Sequence, residues 1–457
     1  MNGFPSAASE HARGLSDSQL PGLDRLLDTK FVASIVSTEM PEVYPNATDC
    51  RIAYIRYKPG TSCVIAYLLC ADGREKKDSA THILYGKCYD RDDFALAAEK
   101  ANASAAMNIG SPHAIVLSGA QAVLFPYMAD PKLDSIETIL DHRKMRRILY
   151  RWVDCWSPDR YRISHKAMEI VPVRYKPEKR AVFRLTSRIT DRSNNQCKAS
   201  SVYIRHYRDD RGRALFELMD SLHRAVPQGD SLCVPRPYAY ITDKRILLIE
   251  GLQDRPMTEA LDGDRRSMAL SRAATALAHL HSLDIARLPE RSSGVILKDA
   301  NATASMLRAV LPASNAKVSR VVGSFQSLEE ADLGADKGFV HGDYFHGQIL
   351  MQDRSTAIID FDRSYRGETL ADLGNFCAHL IYRVVLSEAG SRTIDRDVEQ
   401  FVLAYEKECG LPVSRERLAH WITFSLHMLA IAPFRALLPD WKSKVDRVIR
   451  ACEESIP

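Results

Sequence analysis

The sequence has no Cys-x-x-Cys pair, no apolar run long enough to cross a membrane and little net charge. Each absence argues against a class of function. Ten cysteines scattered without regular spacing argue against a zinc knuckle or a disulfide framework and suit a reducing compartment. A net charge of +4, from 62 basic and 58 acidic residues, is too balanced for a nucleic-acid-binding surface. The basic stretch RKMRRILYR (143–151) mixes its cations with apolar residues at helical spacing, so it reads as a solvated helix face rather than a polyanion site. The start, MNGFPSAASEHARG, has no apolar core of signal-peptide length, and HMLAIAPF near the end is far short of a membrane span. The expectation is a soluble, cytoplasmic protein with no membrane or nucleic-acid partner. Its oligomeric state is not legible.

What is present is an ordinary globular composition, 46% hydrophobic and 26% charged, over 457 residues. That length suggests roughly three units. Residues 1–20, rich in Ser, Ala and Gly, read as a disordered end. An internal repeat follows. Arg56-Tyr57-Lys58-Pro59 recurs as Arg174-Tyr175-Lys176-Pro177, and the same offset pairs Val64 with Val182, Tyr85 with Tyr203, Tyr89 with Tyr207 and Glu99 with Glu217. Each copy predicts two β-runs flanking a Lys-Pro turn, a third strand, a polar turn, a helix and a closing strand pair. By the closing pair the offset has slipped to about 124 residues. One helix over 138–156 is expected to bridge the copies. From 258 onward the pattern is helical, as in SMALSRAATALAHLHSL (267–283), with one embedded hairpin.

That hairpin, FVHGDYFHGQILMQDRSTAIIDFD (339–362), places carboxylates against strands that can bury Ile349, Leu350, Ile358 and Ile359. Buried carboxylates need a partner, a metal or a task. The turn brings Asp343, Gln348 and Asp360 to one end, a hard-oxygen set that suits Mg²⁺ rather than zinc. A carboxylate outside the metal shell can take a proton from a hydroxyl nucleophile. Those are the parts of phosphoryl transfer. His341 reads equally as a packed residue shaping the loop or as part of the site. Asp362 is a second metal ligand or a solvated charge, Asp372 an N-cap or loop anchor, and His279 and His281 serve helix packing and capping.

HGDYFHGQIL…IIDFD resembles the HGDxxxxN…IDxx signature of the aminoglycoside phosphotransferase/choline kinase-like family, and RGETLADLGNF resembles the segment that follows it there. The resemblance implies an α+β, bilobal, protein-kinase-like fold with a duplicated β-rich N-lobe and a mainly helical C-lobe. The units would be a first N-lobe-like repeat (21–137), a helical linker (138–164), a second, nucleotide-binding N-lobe (165–255) and a C-lobe carrying the hairpin (256–457). It implies ATP and Mg²⁺ as cofactors, Asp343 as catalytic base, and Gln348 and Asp360 as metal ligands, with Gln348 standing where Asn is usual. It further implies a strand cation oriented by a helix carboxylate, Arg205 with Glu217 in the second copy or Lys87 with Glu99 in the first. Glu250 and Leu252 would form the nucleotide-binding hinge, which favours the second copy as the working lobe. Lys87–Glu99 would then be a structural ion pair or a second nucleotide-like site. The second copy's turn, KPEKRA, lacks the glycine of KPGTSC in the first. Lys179 and Arg180 supply charge to phosphate there or are plain exposed turn residues. The leading function is an ATP- and Mg²⁺-dependent small-molecule kinase acting on a hydroxyl of a sugar, aminoglycoside or amino alcohol. The alternative is a pseudokinase-like regulatory or binding module.

Overall fold

Two sheets of the same topology follow each other along the chain. The first has strands β1 (Ala47–Lys58), β2 (Ser62–Ala71), β3 (Ile83–Tyr89), β4 (Ile115–Leu117) and β5 (Ala122–Pro126), hydrogen-bonded in the order β1-β2-β3-β5-β4. The second has β6 (Tyr161–Ile163), β7 (Glu169–Lys176), β8 (Arg180–Asp191), β9 (Cys197–Tyr207), β11 (Pro237–Ile241) and β12 (Ile246–Glu250), while β10 (Leu232–Cys233) lies between them in sequence but pairs elsewhere. Its path, β7-β8-β9-β12-β11, repeats the first order strand for strand. The register repeats too: Arg56, Val64 and Lys87 lie in one row across the first sheet, and Arg174, Val182 and Arg205 in one row across the second. Val116 faces Val123 as Tyr240 faces Leu247, which is the 124-residue offset. This computed structural model describes residues 15–44, 47–71, 83–107, 113–227, 231–252, 255–325, 337–352, 355–387 and 394–457.

The first sheet is buried on both faces, which is why β2 reads as a nearly unbroken apolar run. Alternate residues of a strand point to opposite faces. Cys63, Ile65, Tyr67 and Leu69 pack towards Phe434, Trp441 and Val445 of the C-terminal helices, whereas Val64, Ala66 and Leu68 pack towards Phe183, Leu185 and Ile204 of the second sheet. The second sheet does the same one layer on. Ile246 and Leu248 of β12 face the first sheet, while Leu247 and Ile249 share a core with Phe376 and Phe401 of the helical lobe. The helical lobe includes helices Arg266–His281, Ser293–Val310, Leu370–Leu386, Ile394–Cys409, Arg415–Leu429 and Trp441–Glu454. Embedded in it are β13 (Arg255–Pro256), β14 (Lys337–Val340), β15 (Ile349–Met351), β16 (Thr356–Ile358) and β17 (Tyr365–Glu368). β15 and β16 pair antiparallel, with Ile349 opposite Ile358.

Two expectations are corrected. Residues 15–20 are not frayed: Leu15 and Leu20 are buried, and Asp17 accepts hydrogen bonds from the Tyr57 hydroxyl and the Gly60 N–H, both at 2.8 Å. Residues 1–14 of the expected disordered end lie outside the described residues. The single bridging helix is two, Ile136–Leu140 and His142–Trp152, because Asp141 has extended backbone and its side chain caps the second helix through the N–H groups of Arg143 and Lys144. The rest of that linker is not helical either, since Tyr161–Ile163 joins the second sheet as β6. On the second of these helices Met145 and Leu149 are the buried residues, so the basic stretch is a solvated face.

Candidate active site

Asp343 sits on a turn that its neighbours fix from three sides. Gly342 has φ +75°, and a Cβ there would lie 2.3 Å from the Arg363 carbonyl oxygen, so only glycine lets the two segments approach. Asp372, fully buried in the first turn of helix Leu370–Leu386, accepts from the N–H groups of His341 (2.6 Å) and Gly342 (2.8 Å). His281 Nε2 reaches the same carboxylate at 3.2 Å, and its Nδ1 meets the Tyr405 hydroxyl at 2.8 Å. Asp372 is thus a loop anchor rather than an N-cap. His281, expected to serve packing and capping, orients that anchor; a sequence reading had no means of pairing residues 91 positions apart.

His341 is a packed residue. Its Nε2 bonds the Ile359 carbonyl at 3.0 Å and its Nδ1 accepts the Asp343 N–H at 3.3 Å, which fixes the neutral Nε2–H tautomer. Asp343 itself is 30% exposed in its side chain, and its one ion pair among the described residues is to Arg363 Nη1 at 4.0 Å. Gln348 is buried, and its amide meets Asp360 Oδ2 at 3.4 Å. Asp360 has φ +71°, a left-handed conformation that turns its carboxylate out of the end of β16 towards the second sheet.

From that sheet come the cations. Arg205 of β9 lies with Nη1 2.9 Å from Asp360 Oδ1 and also contacts Asp362 Oδ2. Arg180, first residue of β8, puts Nη1 2.8 Å from Asp362 Oδ2 and Nη2 3.9 Å from Asp360 Oδ2. The Tyr207 hydroxyl donates to Asp362 Oδ1 at 3.1 Å. Asp362 is therefore bound rather than solvated. Burial would raise the Asp360 pKa, but Arg205, the Asp362 contact and Arg180 together hold it well below the ordinary carboxylate range. Lys176, at the end of β7, is pushed down to about 7 by burial and by the neighbouring charges of Arg174, Arg180 and Arg363.

The two expected cation–carboxylate pairs do not form. Glu217 is exposed on helix Arg211–Ala225, and Arg205 turns to Asp360 and Asp362 instead. Glu99 is likewise exposed, and Lys87 Nζ pairs with Glu178 Oε1 at 2.9 Å. The resemblance and a twelve-residue spacing paired both carboxylates with their strand cations, but these faces of the helices point to solvent. Glu178 is also held by Arg56 at 2.9 Å, so the cation pair of the first copy grips the turn of the second. The turns themselves are built alike. Gly60 and Glu178 both have positive φ (68° and 60°), and each N–H donates to an aspartate that also binds the preceding tyrosine: Asp17 with Tyr57, Asp130 with Tyr175. Neither turn therefore has that N–H open for a phosphate. Lys179 is exposed among Arg56, Lys58, Arg208 and Arg211, away from the carboxylates, and Arg180 is the turn residue that reaches them. At the expected hinge, Glu250 accepts the Arg236 N–H at 3.1 Å, the Gly251 N–H is taken by the Ser201 carbonyl at 3.0 Å, and Leu252 is half-buried beyond them.

The second sheet and the hairpin thus bring together two carboxylates, one amide and a surplus of cations, with Asp343 held on the adjoining turn, and such a set suits a polyanion. The firmly ionised Asp360, with the Gln348 amide beside it donating Nε2–H to Oδ2 and carrying its oxygen on the other arm, fits Mg²⁺, which commonly takes one or two protein carboxylates and completes its shell with phosphates and water. The profile of the phosphotransferase enzyme family matches residues 181–407. A probable acyl-CoA dehydrogenase of Arabidopsis thaliana, IBR3, is 24% identical over 241 residues, 45% of this chain, and the match spans 29% of that protein's length. Among solved structures, a choline kinase from Cryptosporidium parvum Iowa II is 12% identical with a TM-score of 0.49, covering 69% of this chain and 95% of its own. A putative aminoglycoside phosphotransferase from Ralstonia eutropha JMP134 is 14% identical with a TM-score of 0.47, covering 69% and 98%. Among the described residues no helix is long and apolar enough to cross a membrane.

Proposed function

We propose, from the match of residues 181–407 to the phosphotransferase enzyme family, that the protein transfers the γ-phosphoryl group of ATP to a hydroxyl of a small metabolite. The observation that carries the reading is the meeting of Gln348 and Asp360 beneath Arg205, with His341 tying the Asp343 turn to the Ile359 carbonyl next to Asp360. Asp343 is the residue placed to accept the hydroxyl proton. The hydroxyl oxygen then forms a bond to the γ-phosphorus, and the bond from that phosphorus to the bridging oxygen breaks with its electron pair leaving on ADP. Gln348 and Asp360 would hold Mg²⁺, which when bound neutralises charge on the phosphates. Arg205, Arg180 and Lys176 are the side chains placed to meet those phosphates. They stand in for the backbone N–H groups of a glycine-rich loop, one of which Asp130 has claimed here. Glu250 and Leu252 bound the adenine end. The resemblance brings sugars, aminoglycosides and amino alcohols as the starting range of acceptors.

Asp343→Asn tests the base. Turnover is expected to fall on the order of 10²–10⁴-fold, with Mg-ATP affinity, read by titration calorimetry, retained. Unchanged turnover would overturn the assignment.

A second reading has its own observation. Arg205 and Arg180 already bind Asp360 and Asp362, a self-satisfied arrangement that a regulatory module without turnover could also keep. Thermal stabilisation by a non-hydrolysable ATP analogue separates the two: a Mg²⁺-dependent shift supports the enzyme, and no shift at saturating nucleotide supports the module.

A further inference from the structure

One arginine meets Asp343, and a second is its electrostatic neighbour. Arg363 is anchored on the catalytic turn by the close packing of its backbone on Gly342, and its guanidinium, 66% exposed, lies 4.0 Å from Asp343. Arg435 closes the short helix Ala432–Arg435 and is half-buried. Among the described residues it has no carboxylate partner; its hydrogen bond is to the Met306 sulfur at 3.9 Å, a weak acceptor. A guanidinium desolvated in this way is costly unless something anionic joins it. Its electrostatic neighbours are the Tyr54 hydroxyl and the like charge of Arg363, and burial first and Arg363 after it depress its pKa. Tyr54 belongs to β1, the strand through which the first sheet packs on this helix, with Tyr57 and Phe434 in edge contact at 6.4 Å. The first sheet therefore covers the helix that carries Arg435 and sets Tyr54 beside that charge, whose like-charged neighbour Arg363 is the residue that meets Asp343.

We propose that the acceptor is an anionic hydroxyl compound, a small hydroxy acid or a phosphorylated polyol or sugar, whose negative group is bound by Arg363 and Arg435 under the cover of Tyr54. The inference rests on the phosphotransferase reading and narrows it: amino alcohols and aminoglycosides, which bring positive charge, are disfavoured beside these arginines. Bound carboxylate or phosphate takes up the guanidinium of Arg435 and competes with Asp343 for Arg363, leaving the Asp343 carboxylate to the acceptor hydroxyl. It also gives the first copy of the sheet a function, since without β1 the acceptor side would lie open at Tyr54.

The test uses the full chain with two sets of probes that differ in charge on one skeleton: glucose, gluconate, glucose 6-phosphate and glucosamine, and glycerol, glycerate, glycerol 3-phosphate and serinol. ADP release gives kcat/KM for each, and calorimetry with a non-hydrolysable ATP analogue gives affinity without turnover. The expected result is at least a tenfold preference for an anionic member over its neutral and cationic partners in one set. Carboxylate against phosphate within that set identifies the anion. Arg435→Met should collapse the anionic-to-neutral ratio to about one, and Arg435→Lys should restore part of it, which a merely structural arginine would not do. A preference for neutral or cationic members, no binding of any anionic member, or a ratio untouched by Arg435→Met overturns the proposal. Failure of the analogue itself to bind overturns the phosphotransferase reading instead, and anion binding is still read by titrating the phosphate esters alone.

Discussion

Lys87 Nζ and Glu178 Oε1 lie 2.9 Å apart across the boundary between the two sheets. Arg205, the residue equivalent to Lys87, lies 2.9 Å from Asp360 across the next boundary. Each copy therefore uses the same strand position to grip an acidic residue of the unit that follows it. In the first copy the grip is closed, with Arg56 on the other carboxylate oxygen and side-chain exposures of 15–20% for all three residues. That geometry argues for a structural ion triad rather than a second nucleotide site, and it explains why a glutamate tolerates φ +60° at a turn that takes glycine in the other copy.

Removing this glutamate has two separable effects. Glu178→Ala leaves Arg56 and Lys87 partly buried without their anion, and a loss of about 1–3 kcal/mol is expected. Glu178→Gly suffers the same loss but is freed of the left-handed strain, so it should be about 1 kcal/mol more stable than the alanine variant. Urea denaturation of both measures the difference. Equal midpoints would mean that the backbone strain is absent and that the triad alone holds the turn. Because Arg180 is two residues away, both variants should also raise KM for ATP.

Gly342→Ala should be among the most damaging single-methyl changes in the chain. The added Cβ meets backbone, the Arg363 carbonyl at 2.3 Å, in a conformation that L side chains avoid. Strain and overlap together predict a loss of roughly 3 kcal/mol or more. Relief can come only by moving the turn that carries Asp343, so kcat should fall further than stability explains. A variant that keeps full kcat while losing stability would show that Asp343 is not held by this turn.

Acid should destabilise the protein through two rings beside the loop that carries Asp343. Burial, and then Arg383, push His346 down to about 4, opposed by Asp262; burial and then His346 push His379 down to about 3. His379 stacks on Phe345 at 4.0 Å between ring centroids, and His346 Nδ1 reaches the Thr258 hydroxyl at 3.4 Å. The folded pKa lies below the unfolded one for both. Above pH ~6.5 both states are neutral and nothing is lost, whereas below it the unfolded chain binds protons that the folded chain refuses. Stability should therefore fall as pH drops from ~6.5 towards 4 and below. His379→Phe, which keeps the stack, should flatten part of that fall, as read from melting temperatures at pH 7, 5.5 and 4.5. An equally steep acid limb in that variant would assign the loss elsewhere.

The repeat, the hairpin and the family were legible because each is written in local pattern. An offset of 118 holding from Arg56 to Tyr89 reappears as the row Arg174–Val182–Arg205, and the later slip to 124 as the facing of Tyr240 and Leu247. Contacts between units were not legible. Glu217 and Glu99 had the right spacing, but spacing does not say which helix face meets a sheet. Glu178 was legible only as part of the KPEKRA turn and Asp130 not at all, because their partners, Lys87 and Tyr175, become neighbours only when the sheets stack. Asp17 was lost in a stretch whose composition reads as disordered, although it caps the Gly60 turn just as Asp130 caps that of Glu178.

Arg205 is where the two functional readings part. Its guanidinium contacts both Asp360 and Asp362, and the first copy carries lysine, Lys87, at the equivalent strand position. Lysine offers a point charge on a flexible stem and cannot span two carboxylates as a planar fork can. If Arg205 competes with Mg²⁺ for Asp360, Arg205→Lys should loosen that hold and lower the Mg²⁺ concentration for half-maximal activity several-fold. Gln348→Ala, which deletes the neighbouring amide, should raise the same concentration on the order of tenfold. The two changes are close enough to share Asp360, so their effects should not add in the double variant. A Mg²⁺ titration that Arg205→Lys leaves in place, together with a raised KM for ATP, would instead make Arg205 a phosphate ligand whose contact with Asp360 is broken whenever nucleotide is bound.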